Sequence, residues 1–188
     1  MALAFDTASG EYSASNTTHT LSHTVGGSNY VLVVMGKIAD VTIDSITYNS
    51  VSMTPQMNVL HNDGFRTFIY TLVNPSTGAN DIVINLASAS EAWYGGVSVS
   101  GASGTFGATA NSPTNGLGTS KSQNIVTETA NSWVAVVCAT NSGGSTDWAF
   151  TGSTAGRFDA DGNGTTAIGG TLPTTTAGTY AMSASGSN

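Results

Sequence analysis

The amino-acid sequence predicts an all-β fold, an antiparallel sandwich of two sheets with little or no helix. Short apolar runs recur along the chain, and clusters of Gly, Asn, Asp, Ser or Pro separate them, as is typical of strands joined by turns. No segment carries an apolar period of 3.6 residues over the length of a helix. The chain holds 23 glycines and only 8% charged residues, which disfavours the charged outer face of a surface helix.

Each predicted strand is a short apolar or alternating run that ends at a turn-forming cluster. In chain order the predicted strands are Leu3–Asp6, Thr17–Val25, Asn29–Gly36, Val41–Tyr48, Val51–Thr54, Phe65–Val73, Asp81–Leu86, Ala92–Ser100, Gln123–Thr127, Trp133–Ala139, Trp148–Thr151 and Thr179–Ser185. Two runs, Tyr30–Met35 and Trp133–Cys138, are almost wholly apolar, which predicts inner strands covered on both faces. Val41–Tyr48 and Ile82–Leu86 alternate instead, which predicts strands with one solvent face.

The turns and loops complete the predicted architecture. Asn62-Asp63-Gly64 predicts the turn of a hairpin between Met57–Leu60 and Phe65–Val73, because Asx-Gly pairs supply the positive φ of such turns. Residues 101–122 are rich in Gly, Ser and Thr, which predicts a long flexible excursion between two halves of the sandwich. We expect residues 1–188 to form a single sandwich domain, since such domains commonly reach this length.

The charge balance and the single cysteine limit the partners and the compartment. Eleven acidic residues against four basic ones give a net charge of −7, so we expect no nucleic-acid partner. Cys138 has no second cysteine to pair with, which fits folding in a reducing cytosol. The start Met1–Asp6 lacks the basic region of a secretory signal. The longest apolar run, Tyr30–Met35, is far shorter than the roughly 20 residues of a membrane helix, so we expect no membrane span.

One motif points to a metal. Asp159-Ala-Asp161-Gly-Asn163-Gly164 begins as a calcium loop begins, with oxygen ligands at alternate positions and a glycine that turns the chain. The twelfth position of such a loop is Gly170, however, where a bidentate Glu belongs. Two interpretations stay open, a calcium site at Asp159, Asp161 and Asn163, and an acidic surface turn.

The histidines, the cysteine and the glutamates offer no assembled catalytic site. His19 and His23 are four residues apart, which on a strand places them about 13 Å from each other, so we expect both to face inward with Leu21 between them. His61 is expected in a turn, and Cys138 as a small core residue with a raised pKa. Glu91 and Glu128 are the only glutamates near strands, and nothing in the sequence pairs them as the acid and base of a glycosidase.

Three aromatic side chains are candidates for a carbohydrate-binding surface, in which a sugar ring stacks on an exposed aromatic ring. Trp93 and Tyr94 are neighbours on a predicted strand, so their rings face opposite ways, and a ring that faced solvent could stack on a sugar. Trp148 follows a Ser-Gly-Gly loop and is the third candidate. Core packing is the simpler interpretation of each ring.

Several sequence segments of the chain resemble those of a known group of domains. They are Ala4-Phe-Asp-Thr7, Thr20-Leu-Ser-His-Thr-Val-Gly-Gly27, Asn29-Tyr-Val-Leu-Val-Val34, Ile46-Thr-Tyr-Asn-Ser-Val51, Tyr70-Thr-Leu-Val-Asn-Pro75 and Ala177-Gly-Thr-Tyr180. The residue pattern of these segments is similar to that of jelly-roll, concanavalin A-like β-sandwich domains of tailed-phage structural proteins and bacterial surface proteins. The resemblance implies a jelly-roll-like sandwich that serves as a capsid decoration or cement protein, a fibre domain or a carbohydrate-binding module.

The sequence and the resemblance together predict a non-enzymatic virion structural protein, a decoration or cement protein on the outer capsid. We expect the major capsid protein or other virion subunits as partners, with possible self-association, and the outer capsid surface as the location. The excursion at residues 101–122 and the N-terminal segment are predicted to make the contacts. No catalytic, cofactor-binding or metal residue is assigned. The alternative is a carbohydrate- or receptor-binding module of a phage fibre or bacterial surface protein.

Overall fold

The computed structural model describes residues 2–28, 30–111, 119–140 and 147–186, and every regular element in these ranges is a β-strand. All strand pairs are antiparallel, which confirms the predicted fold class. No helix of membrane-spanning length and apolarity occurs within these residues. In chain order the strands are β1 (Ala4–Val25), β2 (Tyr30–Ala39), β3 (Ile43–Tyr48), β4 (Val51–Ser52), β5 (Thr54–Leu60), β6 (Phe65–Val73), β7 (Gly78–Ser100), β8 (Ser120–Thr127), β9 (Ser132–Ala139), β10 (Trp148–Thr151), β11 (Ala155–Gly162), β12 (Thr165–Thr174) and β13 (Gly178–Gly186).

The two longest strands, β1 and β7, belong to the first sheet, which contains β1 to β7. They pair along their whole length, from Ala4 opposite Ser100 to Val25 opposite Gly78. Register shifts around Asn16 interrupt the ladder near its middle, and such bulges bend a strand pair. The first half of β7 also pairs with β3, and its second half pairs with β2. The sheet therefore folds over on itself and places two layers face to face.

The first hydrophobic core fills the space inside this folded sheet. Alternating residues of β2 point into it and meet side chains of β3 and of the first half of β7. Its largest fully buried members are Leu32, Ile38, Ile46, Tyr48, Phe68, Ile82, Ile84 and Tyr94. Burying one such aliphatic or aromatic side chain contributes about 1.5–3 kcal/mol to folding, so this core stabilises the first sheet in its folded-over form.

The opposite face of β2 and β7 packs on a second sheet, ordered β11-β12-β9. Val33 and Met35 of β2 and Val97 of β7 contact the side of this sheet that carries Phe158. Strand β2 is thus buried on both faces, which confirms its prediction as an inner strand. The Phe158 ring lies so close to the backbone that a Cβ atom on Gly169 would overlap it, which explains a glycine in the middle of β12.

A third sheet, ordered β10-β13-β8, covers the outer face of the second sheet. Two small clusters join these sheets; Val134, Leu172 and Met182 form one, and Trp148, Ile168 and Ala184 form the other. Strand β9 consequently has neighbours on both faces, as predicted for Trp133–Cys138. The complete stack has four layers, because the first sheet contributes two, and it contains three sheets where the sequence suggested two.

Several element boundaries differ from the sequence prediction. The predicted strands Leu3–Asp6 and Thr17–Val25 are parts of the single strand β1, which begins at Ala4, because the polar residues between them pair with β7. Strands β11 and β12 were not predicted. The end of the predicted excursion at residues 101–122 belongs to strand β8, whereas residues 112–118 of it, like Asn29 of the predicted third strand, lie outside the described residues. The predicted hairpin of β5 and β6 is confirmed, with Gly64 at a φ of 79°.

Candidate functional site

A cavity of about 160 Å³ lies where the first sheet meets the second and third sheets. We call it the Lys37 cavity. Its polar lining includes Lys37 on β2, His61 and Asp63 in the β5–β6 turn, Lys121 on β8 and Thr140 after β9. Met57, Ile69, Val137, Phe150 and Met182 are among the apolar side chains that complete its wall. The lining residues therefore include charged side chains of both signs, hydroxyl and amide groups and apolar side chains.

Lys37 is the most unusual residue of the cavity. Its side chain is 1% exposed, and its Nζ donates hydrogen bonds to the Thr140 carbonyl at 2.6 Å and to Thr165 Oγ1 at 2.9 Å. The ammonium also lies 3.9 Å from the Phe65 ring centre and 4.7 Å from that of Trp93. Such cation–π contacts offset part of the cost of removing a charge from water. Lys37 thus ties β2 to the ends of β9 and β12.

In the part of the chain that the structure describes, no carboxylate lies within 4 Å of this ammonium. Arg66 and Asp40 form an ion pair elsewhere, at 3.1 Å. Burial lowers the pKa of Lys37 to about 8, although the more distant charges of Asp63 and Glu91 act to raise it. The Thr140 hydroxyl, in a residue that is 7% exposed, is also without a hydrogen-bond partner in the described part of the chain.

A second cluster of polar residues surrounds His23 in the first sheet. Asp6 Oδ2 accepts hydrogen bonds from the Gly26 N–H at 2.8 Å and from Ser98 Oγ at 2.7 Å. Ser98 Oγ then accepts from His23 Nε2 at 3.2 Å, which leaves Nδ1 to accept from Ser9 Oγ at 2.9 Å. Burial lowers the pKa of His23 to about 4, so its imidazole is neutral at pH 7.

The histidines of β1 lie where the sequence predicted them. His19, Leu21, His23 and Val25 are all buried and alternate with exposed residues, so the inward-facing interpretation is confirmed. His19 Nδ1 pairs with Ser13 Oγ at 2.8 Å, and burial lowers the pKa of this imidazole. His61 lies in the β5–β6 turn, as expected, and its Nε2 contacts Thr67 Oγ1 at 2.7 Å.

The calcium-like motif forms a strand and a turn. Asp159 and Asp161 lie on β11, and Asn163-Gly164 is the two-residue turn to β12, with φ values of 50° and 70°. Both positive values are typical of a tight hairpin turn of type I′. The geometry therefore matches the surface-turn interpretation of the motif. In the described parts of the chain no group of three or more His, Cys, Asp or Glu side chains is arranged to hold a metal ion.

The side chains of this motif have protein partners. The Asp159 carboxylate accepts from Thr166 Oγ1 at 2.9 Å, and burial together with the nearby Asp161 raises the pKa of Asp159 to about 6. Asn163 Nδ2 donates to both oxygens of Glu91, at 2.9 and 3.0 Å. The Tyr12 hydroxyl donates to the same carboxylate, and this hydrogen bond raises the pKa of Tyr12. Glu91 thus holds the hairpin against β1.

The three candidate aromatic rings are core residues. Trp93, Tyr94 and Trp148 are all buried, at 1%, 0% and 5% exposure, which confirms the core-packing interpretation of each ring. The reason is that the second half of β7 lies in a central layer with both faces covered. Trp93 Nε1 donates to the Gly162 carbonyl at 3.0 Å, and the Tyr94 hydroxyl donates to Glu11 at 2.7 Å. These rings do not offer a stacking surface to a sugar.

Cys138 and Glu128 complete the candidate residues. Cys138 is half-buried, lines the Lys37 cavity, and has a pKa that burial raises to about 11. Its thiol is therefore protonated at neutral pH and a poor nucleophile, as the sequence suggested. Glu128 is exposed just after β8, whereas Glu91 is held by Tyr12 and Asn163.

Three of the six large apolar side chains that are exposed in the described chain lie on edge strands. Val51 on β4, Leu60 on β5 and Val126 on β8 are 49%, 46% and 52% exposed. Each of these strands is the last of its sheet within the described chain, so its outer backbone groups face away from the ladder. Phe5, which is 40% exposed, lies on β1 beside the Arg157 guanidinium. Sheet edges of this kind can pair with or dock on another protein.

Comparisons with known proteins add no assignment. No protein-family model, no curated protein and no solved structure matches the chain.

Proposed function

We propose that this chain is a non-enzymatic structural protein of a tailed-phage virion that decorates the outer capsid. Its partners are the major capsid protein or neighbouring copies of the chain. The proposal depends on one structural observation, a large exposed apolar side chain on each of the edge strands β4, β5 and β8. An exposed apolar edge is a template for contact with a second protein.

The surface composition is also suited to close packing between subunits. Charged residues make up 8% of the chain, so little charge has to be desolvated when two surfaces meet. Binding to a lattice also stabilises the folded form by mass action. Edge strands that are left unpaired in the isolated chain would then be covered in the assembled particle.

The test is binding of the purified chain to particles assembled without it. We expect saturable occupancy that Val126→Lys lowers at least tenfold, because a charge then replaces an apolar contact on the open edge of β8. Ala181→Lys is the matched control, since Ala181 is exposed on the central strand β13 of the same sheet. The proposal fails if the wild-type chain does not bind particles saturably, or if a glycan array captures the chain while particles do not.

A further inference from the structure

The Lys37 cavity lies beside strand β9, at the end of the second sheet. We propose that it binds a small neutral aromatic alcohol, a single aromatic ring that carries a hydroxyl group. The ring packs against the half-buried apolar side chains of the wall, and the hydroxyl oxygen accepts a hydrogen bond from the open edge of β9. This inference goes beyond the proposed structural role, and either can fail without the other.

The second sheet leaves part of the first sheet's face uncovered. Its last described strand, β9, packs on β2 and β6, whereas β5 lies beyond β6 at the end of the first sheet. Phe65, Thr67 and Ile69 alternate along β6 and all line the cavity, and Met57 of β5 lies opposite Ile69. The three apolar side chains of this group are only half-buried although they lie between sheets. Pockets that bind small molecules are lined in this way, by apolar side chains on a concave surface.

The open edge of β9 supplies polar groups to the same space. Consecutive residues from Ala135 to Thr140 line the cavity, which occurs where the edge of a strand borders a site, because side chains alternate between the two faces. The Thr140 N–H donates to the Thr166 carbonyl at 3.0 Å, and hydrogen-bonded residues alternate along an antiparallel pair. The backbone groups of Ala135, Val137 and Ala139 therefore point away from β12, and no other described residue pairs with them. A neutral hydroxyl both donates and accepts, so it suits such an edge.

The charged side chains of the lining do not favour a charged ligand. Lys37 is 1% exposed, and its ammonium is already held by two hydrogen bonds and two aromatic rings. Lys121 is likewise engaged in an interaction of its own. Asp63 is exposed, which places it at the mouth of the cavity. A charged ligand inside would lose its hydration without an opposite charge in contact, and this is costly.

The size and walls of the cavity restrict the ligand further. The volume of about 160 Å³ is comparable with cavities of about 150 Å³ that bind benzene. Phe150 and Met57 are half-buried members of the wall, and both aromatic and thioether side chains make favourable contacts with an aromatic ring. A six-carbon ring with one hydroxyl, such as phenol, meets these conditions, whereas a nucleotide or an oligosaccharide is too large.

The test is a titration of the full chain with phenol, followed through backbone amide chemical shifts. We expect saturable shifts at Ala135, Val137 and Ala139 with a Kd below about 10 mM, an order-of-magnitude threshold for a specific weak ligand. At least one of these amide protons is expected to move downfield beyond the shift that benzene produces, because benzene has the ring but no hydrogen-bonding oxygen. Sodium benzenesulfonate, which carries a charge on the same ring, is expected to bind at least about tenfold more weakly, since its charge has to be desolvated. The inference is overturned if phenol does not shift these amides, if benzene shifts them identically, or if benzenesulfonate binds equally well.

A substitution in the wall then locates the site. Ala135→Leu adds bulk to the cavity lining and is expected to weaken phenol binding about fivefold or more, because a well-packed site does not accommodate extra methylenes. Ala181→Leu is the matched control, since Ala181 is exposed on β13 and does not line the cavity, and it should leave the Kd unchanged. Equal phenol affinities of the two variants would contradict the location.

Cys138 gives a second readout, which needs no variant. It is the single cysteine of the chain and it lines the cavity. Saturating phenol is therefore expected to slow the reaction of Cys138 with iodoacetamide in the folded chain, and to leave the rate in the urea-unfolded chain unchanged. A rate in the folded chain that does not respond to phenol would show that the cavity is not the binding site.

Discussion

Lowering the pH from 7 to 4 is expected to destabilise the domain through His23. In the folded chain burial holds the pKa of His23 at about 4, whereas an unfolded histidine has its ordinary value of 6.5. Between these two values the unfolded state binds a proton that the folded state does not bind. Stability is therefore fully present above pH 6.5 and falls as the pH decreases towards 4.

The structure sets the size of this effect. The difference of about 2.5 pKa units corresponds to at most about 3 kcal/mol of unfolding free energy between pH 7 and pH 4. The titratable groups facing the imidazole are Asp6, reached through Ser98, and Tyr48, whose ring centre lies 6.4 Å away. His19 has a pKa lowered by burial and acts in the same direction, whereas the raised pKa of Asp159 acts oppositely, stabilising the fold as the pH falls below 6.

A variant isolates the contribution of His23 from the others. Urea unfolding of the wild type and of His23→Gln, measured at intervals from pH 7 to pH 4, gives two curves of free energy against pH. We expect His23→Gln to be less stable at pH 7, because it disturbs the Ser9 and Ser98 hydrogen bonds, and to have a flatter curve. His61→Gln, a change in the β5–β6 turn, is the control and should follow the wild type. Parallel curves for the wild type and His23→Gln would refute the account of the buried imidazole.

Three further substitutions or reactions test the packing. Phe158→Ala is expected to lower the unfolding free energy by about 3–5 kcal/mol in urea titration, because the ring fills the space between the first and second sheets; a loss below 1 kcal/mol would contradict this packing. Gly164→Ala is expected to cost about 1 kcal/mol in the same assay, since φ is 70° there, whereas Gly156→Ala, in open space, should cost less. Cys138 is expected to react with iodoacetamide at pH 8 far more slowly than in the urea-unfolded chain, and equal rates would contradict its raised pKa.

The sequence predicted those parts of the fold that local patterns encode. The uninterrupted apolar run of β2 indicated an inner strand, and Asn62-Asp63-Gly64 indicated a hairpin turn. Alternation also placed His19 and His23 on the inner face of β1. Each of these features depends on the order of neighbouring residues, which is what periodicity and turn chemistry report.

The features that were missed depend on contacts between distant segments. Strand β12 is rich in Thr and Gly, and its two glycines are required by aromatic rings rather than by any turn: Gly169 by the Phe158 ring of β11 and Gly170 by the Phe150 ring of β10. Alternation placed the rings of Trp93 and Tyr94 on opposite faces of β7, but the second sheet that covers the Trp93 face comes from a distant part of the chain.

The Lys37 cavity was not predicted either. The hydrogen-bond acceptors of Lys37 are more than a hundred residues away in sequence, at Thr140 and Thr165. The available signal was a single lysine inside a strand that is otherwise apolar, since a charge in an inner strand requires partners from elsewhere in the fold.

The most direct test of the proposed role is the protein content of purified virions from a culture that produces this chain. Quantitative mass spectrometry of particles banded in a density gradient measures the number of copies of the chain for each copy of the major capsid protein. The account predicts a fixed ratio that persists through repeated banding. Recovery of the chain in the soluble cell fraction, with none in the banded particles, would contradict it.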